Sequence, residues 1–400
     1  MEARWRLDTN EHLCYSVDVL KSFKYRLYPS RHQIRLLDQT LETCRRWHNV
    51  CLAERNDAWE KEQRSVGRYE QLAKVKDYRR GNPFAAQVHS HILQVTTTDL
   101  DKAFQAFFRR VEAGEKPGYP RFKGKGRFSS FGLKELGNGF KLDGRRLRVS
   151  GIGRIAVRWH RPIEGKIKTL RIVRQADGWY ACFACEAEPQ PMPPTNAEIG
   201  IDLGVHRLIT TSDGEKVENP RWYRNEQKSL RILQRRMSRR TRFGRNWSQA
   251  VKAVQTQHQH ITNRRKDFLN KLANDLVSRY DRLVIEKLQV SNMVRNHRLS
   301  KSILDAGWGY FGQQLLAKAA YAGRTIVEVN PAFTSKTCSQ CGQRFESLTL
   351  ADRWVEHECG LSLDRDHNAA LNLLKAGRAL WGATWAVRAT PGVPQAAAPL

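Results

Sequence analysis

Three acidic side chains occupy positions where an isolated carboxylate is costly. Asp202 ends the apolar run in IGIDLG, Glu286 stands inside LVIEKL, and Asp366 opens the helical stretch DRDHNAALNLL. A carboxylate in an apolar strand has to be paired, hydrogen-bonded or bound to metal. Taken singly, each could be structural, and Glu286 could pair with Lys287 or Arg282. Taken together, two strand acids and one at a helix start suit a shared oxygen cluster for divalent cations, the chemistry of phosphodiester cleavage. His206 and His367 flank these motifs and read as surface or orienting residues.

A second constellation lies just before Asp366. Cys338 and Cys341 form CSQC, and Cys359 follows in a C-x2-C-x17-C pattern. A full zinc ribbon would place its next cysteine at 356, where the chain has Glu356, with His357 one residue on. Either could complete the set. Histidine is the commoner zinc ligand, so Cys338, Cys341, Cys359 and His357 are the expected zinc ligands. The other CxxC, Cys182 and Cys185, lies in a strand-like stretch where residues three apart face opposite sides, which favours core packing.

The elements that must position these groups can be read along the chain. FKYRLYP (Phe23 to Pro29) alternates and stops at proline, predicting a strand. Ser30 can cap a helix in which Leu37, Leu41, Cys44, Trp47 and Cys51 share a face. Thr96 to Gly114 reads as a further capped helix with Leu100, Phe104 and Phe107/Phe108 apolar. EKPGYPRFKGKGRFSS marks a boundary, and about 127–190 alternates in short segments with Asp-Gly turns, a mostly antiparallel β region. After the proline-rich hinge PQPMPPTNAE come the strand ending in Asp202, the strand LITTS and a third strand. A long polar helical pattern (about 222–280), the Glu286 strand, a glycine-broken helix and the strand TIVEVNP follow. Acids at these places in a β-β-β…β-α order predict an RNase H-like fold converging on two Mg²⁺ ions, with Mn²⁺ as a substitute.

Lys and Arg number 69 against 40 acids, a formal charge of +29. Such an excess calls for a polyanionic partner, nucleic acid first. No apolar run is long enough to span a bilayer, the N-terminus lacks a signal-peptide core, and the cysteine usage suits a cytoplasmic protein. Arg221 to Arg245 holds ten basic residues and one acid. Like charges at i,i+4 oppose a helix unless phosphates lie nearby, so Arg235, Arg236, Arg239 and Arg240 are candidate phosphate contacts. Arg121, Lys123 and Lys125 alternate with aromatics in PGYPRFKGKGRF, suiting contact with single strands or RNA. Arg45 and Arg46 lie off the apolar stripe of the first helix and join the candidates.

Over roughly residues 23–375 the chain resembles the TnpB family, transposon-encoded relatives of the type V CRISPR effector nucleases. FKYRLYPSRHQ, CRRWHNVCLAER and GYPRFKGKGRF resemble its N-terminal segments. IGIDLGV, LVIEKL and DRDHNAALN resemble its three RuvC motifs, and TSKTCSQCG with the later ECG its zinc-binding insertion. The resemblance implies an α/β multidomain protein: an extension (1–22), a β-barrel-like wedge (23–29 and 115–195) and a helical recognition lobe (30–114). It further implies a RuvC nuclease domain (196–335 and 361–380), a zinc-ribbon-like insertion (336–360) that presents DNA to the site, and a disordered tail (381–400). The implied activity is Mg²⁺-dependent, RNA-guided cutting of double-stranded DNA beside a short adjacent motif, with Asp202, Glu286 and Asp366 as metal ligands, a structured guide RNA and a monomeric protein. The alternatives are a compact CRISPR effector with a CRISPR RNA, an RNase H-like transposase, and a non-cutting DNA binder, against which the intact acids argue.

Overall fold

The alternating segment around FKYRLYP forms β1 (Val19–Tyr28), which starts inside the predicted extension and buries Phe23, Tyr25 and Leu27. The structure, a computed structural model, describes residues 19–349 and 352–388; most of the extension and the end of the tail lie outside the described residues. The chain divides into two compact units, 1–188 and 189–400, at the first residue of the proline-rich hinge.

In the first unit Ser30 and Gln33 form a reciprocal capping box at the start of α1 (Arg31–Glu62). Such a cap is worth about 1 kcal/mol. The expected stripe of α1 is buried throughout. Three short helices, α2 (Arg68–Ala73), α3 (Val75–Gly81) and α4 (Pro83–Ala86), lead to α5 (Ser90–Glu112). This last helix begins earlier than Thr96, because the Thr96 hydroxyl bonds back to the Ile92 carbonyl (2.9 Å) instead of capping. Trp47, Cys51, Leu52, Leu93, Leu100 and Phe104 share one core. Phe108 is exposed and meets Phe107 edge-on at its outer end.

Seven further strands complete an antiparallel-rich sheet: β2 (Ser130–Leu133), β3 (Glu135–Leu136), β4 (Gly139–Asp143), β5 (Arg146–Val149), β6 (Gly153–Arg158), β7 (Lys166–Gln175) and β8 (Gly178–Ala187). Their order is β2-β7-β8-β1-β6-β5-β4-β3, and β3 returns beside β7, so the sheet nearly closes into a barrel. Phe131, Phe140 and Phe183 fill it. On β8, Cys185 is buried in that core while Cys182 faces the other side, as its spacing required.

The second unit is built on five strands: β9 (Glu198–Leu203), β10 (Arg207–Thr211), β11 (Lys216–Glu218), β12 (Arg282–Glu286) and β13 (Thr325–Val329). They run in the order β11-β10-β9-β12-β13; β9, β12 and β13 are parallel, and β10 is antiparallel to both β9 and β11. The long polar stretch is two helices, α6 (Trp222–Ser238) and α7 (Arg245–Arg279), broken by a turn around Gly244. Then come α8 (Val290–Met293), α9 (Ser300–Ala306) and α10 (Trp308–Ala322), the last two separated by Gly307 in the left-handed region. Helices α7 and α10 cover one face of the sheet: Leu269, Leu276, Phe311 and Leu315 pack with Ile199, Ile201 and Ile285. A hairpin, β14 (Trp354–Glu356) and β15 (Ser362–Asp364), precedes α11 (Arg365–Arg388). Helix α11 crosses the sheet and continues into the stretch expected to be disordered. Among the described residues no helix is long and apolar enough to cross a membrane.

Candidate active site and metal clip

Parallel pairing sets Ile201 against Ile285, so the next residues, Asp202 and Glu286, emerge side by side at the carboxyl ends of β9 and β12. Helix α11 brings the third acid. Its backbone lies so close to β9 that a Cβ on Gly200 would stand 2.2 Å from the Ala370 carbonyl oxygen, and only glycine permits that approach. Asp366 then lies in the first turn of α11. Asp364 accepts from the N–H groups of Asp366 (3.0 Å) and His367 (3.3 Å) and pairs with Lys216 (2.9 Å) and Arg207 (3.2 Å). It is a helix cap, held below the usual carboxylate range: the Lys216 hydrogen bond and charge and those N–H groups outweigh the cost of its burial.

The charges of the cluster are poorly balanced. Burial, then Glu286 and Asp366, push the Asp202 carboxyl well above its ordinary range, against the pull of Arg365. Burial also lifts Glu286 to about 7, opposed by hydrogen bonds from Thr334 and Asp202 and aided by Asp366. Carboxylates that resist ionising together, with hard oxygen donors and partial access to solvent, fit a divalent cation. Arg365 stands beside them: its Nη1 donates to the Thr349 carbonyl (3.0 Å), and its buried Nε, 3.9 Å from Asp366, has no hydrogen-bond partner. Arg353 approaches Asp366 at 4.0 Å. His367 bonds through Nε2 to the Ser212 carbonyl (2.9 Å), which fixes the turn before β11.

The clip assembles as the spacing suggested, with His357 in the fourth position. One ligand atom from each of Cys338, Cys341, His357 and Cys359 lies within 4.8 Å of all the others. The Cys338 and Cys359 sulfurs are 3.5 Å apart, as are the Cys341 sulfur and His357 Nδ1. These are edge lengths of a tetrahedron with zinc–sulfur bonds near 2.3 Å and a zinc–nitrogen bond near 2.0 Å. Two tight turns present the ligands. Gly342 follows the first pair with φ 80°, and Gly360 turns the β14–β15 hairpin with φ 87°. Burial works against the Cys338 thiolate, but the N–H groups of Cys341 and Gln340 and the neighbouring thiols hold its pKa below the ordinary value. Glu356 lies outside the group, its carboxylate accepting from Ser362 (3.4 Å).

The clip is tied to the acid-bearing helix by side chains that sequence reasoning missed. Asn368 of α11 donates to the Thr337 carbonyl (2.8 Å) and accepts from the Ser339 N–H (2.8 Å). Asn372 donates to the carbonyls of Thr334 (2.8 Å) and Thr337 (2.6 Å), and Lys375 to that of Ser339. The i,i+4 spacing of the two asparagines on α11 was the available signal, but it names no partner.

Arg353, 4.0 Å from Asp366, also lines a cleft of about 570 Å³ with Arg221, Arg224, Arg298 and Lys301. Its one acid, Asp305, is already matched by the N–H groups of Tyr223 and Arg224 and by Arg265 (3.0 Å). Of the predicted phosphate contacts in this unit, Arg235, Arg236, Arg239 and Arg240 are exposed around the α6–α7 turn. In the first unit the Arg45 guanidinium is already engaged within the fold. It pairs with Glu42 (2.6 Å) and donates to the Lys123 carbonyl (3.0 Å). Arg46 shares Glu42 (3.1 Å), whose pKa these two arginines draw down to about 2 against its burial. Lys123 is also held through its backbone by Asn49 (2.8 Å), while Arg121 and Lys125 extend into solvent.

Comparison with known proteins agrees with this architecture. Residues 182–297 match the family OrfB_IS605, described as "Probable transposase", and residues 308–373 match "Cas12f1-like, TNB domain". A "Helix-turn-helix domain" of the same family matches residues 19–64, which here are β1 and the single helix α1. The "Putative RNA-guided DNA endonuclease" of Streptomyces pristinaespiralis is 34% identical over 368 residues, 90% of each chain. The "Putative RNA-guided DNA endonuclease InsQ" of Escherichia coli K12 is 30% identical, covering 90% of this chain and 93% of the relative. The fold is similar to that of Cas12f1 in a cryo-EM structure of a Cas12f1–sgRNA–target DNA complex, with a TM-score of 0.58 at 12% identity over 89% of this chain and 98% of the other. The chain belongs to the TnpB (OrfB) family.

Proposed function

We propose that this protein is an RNA-guided DNA endonuclease whose RNase H-like (RuvC) domain cuts with Asp202, Glu286 and Asp366. The observation that carries the reading is geometric: Asp202 and Glu286 stand at the carboxyl ends of adjacent parallel strands, and Asp366 lies in the first turn of the helix packed on β9. The strand order with its parallel β9, β12 and β13 and the relatives' names support it.

The three carboxylates would hold divalent cations, Mg²⁺ or Mn²⁺. Bound there, the cations supply the charge that stabilises a phosphodiester in attack and lower the pKa of water. The chain's own residues do the rest. β9 and β12 fix two donors on neighbouring strands, Asp364 holds the turn carrying the third, and Arg365 limits their repulsion. The cationic cleft receives the phosphates of the strand to be cut. The clip's three sulfurs and one imidazole nitrogen suit zinc, which would lock the hairpin that carries Arg353 toward Asp366. The barrel-like sheet and helical lobe of the first unit are assigned to guide RNA and adjacent-motif recognition, with pairing to the guide reading the target. A transposon-end RNA is favoured over a CRISPR RNA because residues 182–297 match a family described as "Probable transposase". Cytoplasmic location and action as a monomer belong to the same proposal.

The test uses protein purified with its RNA and a guide-matched linear duplex in Mg²⁺. Asp202→Ala should reduce cutting to background while RNA affinity stays at wild type. Unimpaired cutting by that variant would end the assignment.

A further inference from the structure

From Gln227 to Lys266 the chain carries no Asp or Glu. These residues build most of α6, the turn and much of α7, an antiparallel pair ending in a tip. Arg235, Arg236, Arg239, Arg240, Arg242 and Arg245 all lie exposed there. The single acid of α6, Glu226, lies toward its other end and is taken by Arg264 (3.5 Å) and Gln257 (2.8 Å). So many like charges within a few turns oppose the helices that carry them.

At the apex sits Phe243. Its φ of 69° places an aromatic residue in the left-handed region, which costs conformational energy that glycine or asparagine would avoid. Phe243 is 76% exposed, so its ring contributes little to any core. The Arg242 guanidinium lies 4.9 Å from the ring centroid, and the half-buried Trp247 supports it at 5.5 Å and 58°. Beneath the apex, between the helices, a groove of about 200 Å³ is lined by Arg236, Arg240, Asn246 and Gln249. With 76% of its surface exposed and its backbone strained, this outward aromatic adds little to folding beyond its contact with Trp247. It has the parts of a single-strand contact: a ring face for a base and cations for the flanking phosphates.

We propose that the α6–α7 tip is a base-stacking site for an unpaired nucleotide, with Phe243 as the stacking platform and Arg239, Arg240 and Arg242 bracketing the adjacent phosphates. The inference rests on nucleic acid as the partner of this unit, but not on the acidic cluster. The shared ligand chemistry is a single-stranded phosphodiester segment with an accessible base, which guide RNA and displaced DNA both offer.

Binding of labelled oligo(dT), oligo(U) and a duplex of equal length would be measured for the full chain over a range of salt. Phe243→Ala should weaken binding of one or both single strands about tenfold, leave the duplex unchanged, and leave the salt dependence unchanged, because a stacked base carries no counterion release. Phe243→Trp should restore affinity. Arg242→Ala should lower the slope of log affinity against log salt by about 0.7 for single strands. Weakening with oligo(dT) alone assigns the site to DNA, and weakening with oligo(U) alone to RNA. Phe243→Ala binding both single strands at wild-type strength, or losing affinity for duplex equally, overturns the proposal. Phe243→Gly, which also removes the left-handed strain, guards against a folding artefact because it should melt no lower than wild type while showing the same weakening. Absence of guided cutting with these results intact would count against the nuclease reading and leave this one standing.

Discussion

Asp364 accepts a hydrogen bond from the N–H of Asp366 at 3.0 Å, so two carboxylates two residues apart have separate tasks. One is neutralised by Lys216 and Arg207 and ends the exposed backbone of α11; the other is left facing Asp202 and Glu286. The doublet divides into a cap, Asp364, and a proposed ligand, Asp366.

That division predicts a graded response. Asp364→Ala removes the cap, worth about 1 kcal/mol, and frees the first turn of α11. Cleavage should fall roughly tenfold or more with RNA affinity unchanged. Asp364→Asn keeps an oxygen for the N–H groups and should recover most of the activity. Equal losses for both variants in a cleavage assay would show that the charge, and not the cap, matters.

The acidic cluster should make the metal-free protein less stable as pH rises. Glu286 has a folded pKa raised from 4.5 to about 7. A raised value contributes stability fully present below the unfolded pKa and lost as pH climbs through the folded one. At about 1.4 kcal/mol per pH unit the loss is on the order of 1–3 kcal/mol between pH 4.5 and 7.5. Thermal melts in chelator should show it for wild type and less for Glu286→Gln, and added Mg²⁺ should flatten the wild-type profile. A flat profile in chelator would contradict the crowding of charge at Asp202 and Glu286.

Zinc content tests the clip. Cys338→Ser and His357→Ala should each lose the bound zinc measured by elemental analysis and lower the melting temperature. Glu356→Ala should keep both, since its carboxylate stands outside the four-atom group. Retention by His357→Ala together with loss by Glu356→Ala would exchange the two assignments.

The cleft makes a kinetic prediction. Arg224→Ala and Arg298→Ala each remove a cation from its lining. KM for target DNA should rise several-fold with kcat and guide affinity nearly constant. The salt slope of target binding should drop by about 0.7 to 0.9 for each phosphate no longer neutralised. An unchanged KM would move the substrate strand elsewhere.

The sequence by itself determined which groups could act. Apolar surroundings marked Asp202 and Glu286 because an unpartnered charge there is expensive. Spacing marked the thiols, and alternation marked β1 and β8. Tertiary structure alone decided what each group meets. It placed His357 in the clip because the hairpin turn points its ring at Cys341, while Glu356 lies back on the strand. It matched Arg45 with Glu42, and it set Asn368 and Asn372 against the loop leading from Thr334 to Ser339. Helix α11 outran its predicted end, and the long polar stretch folded back at Gly244, because helix ends depend on what the neighbouring surface covers. Burial cost is local and visible in a string of residues; the choice of partner is a distance in space, set only once the strands have paired.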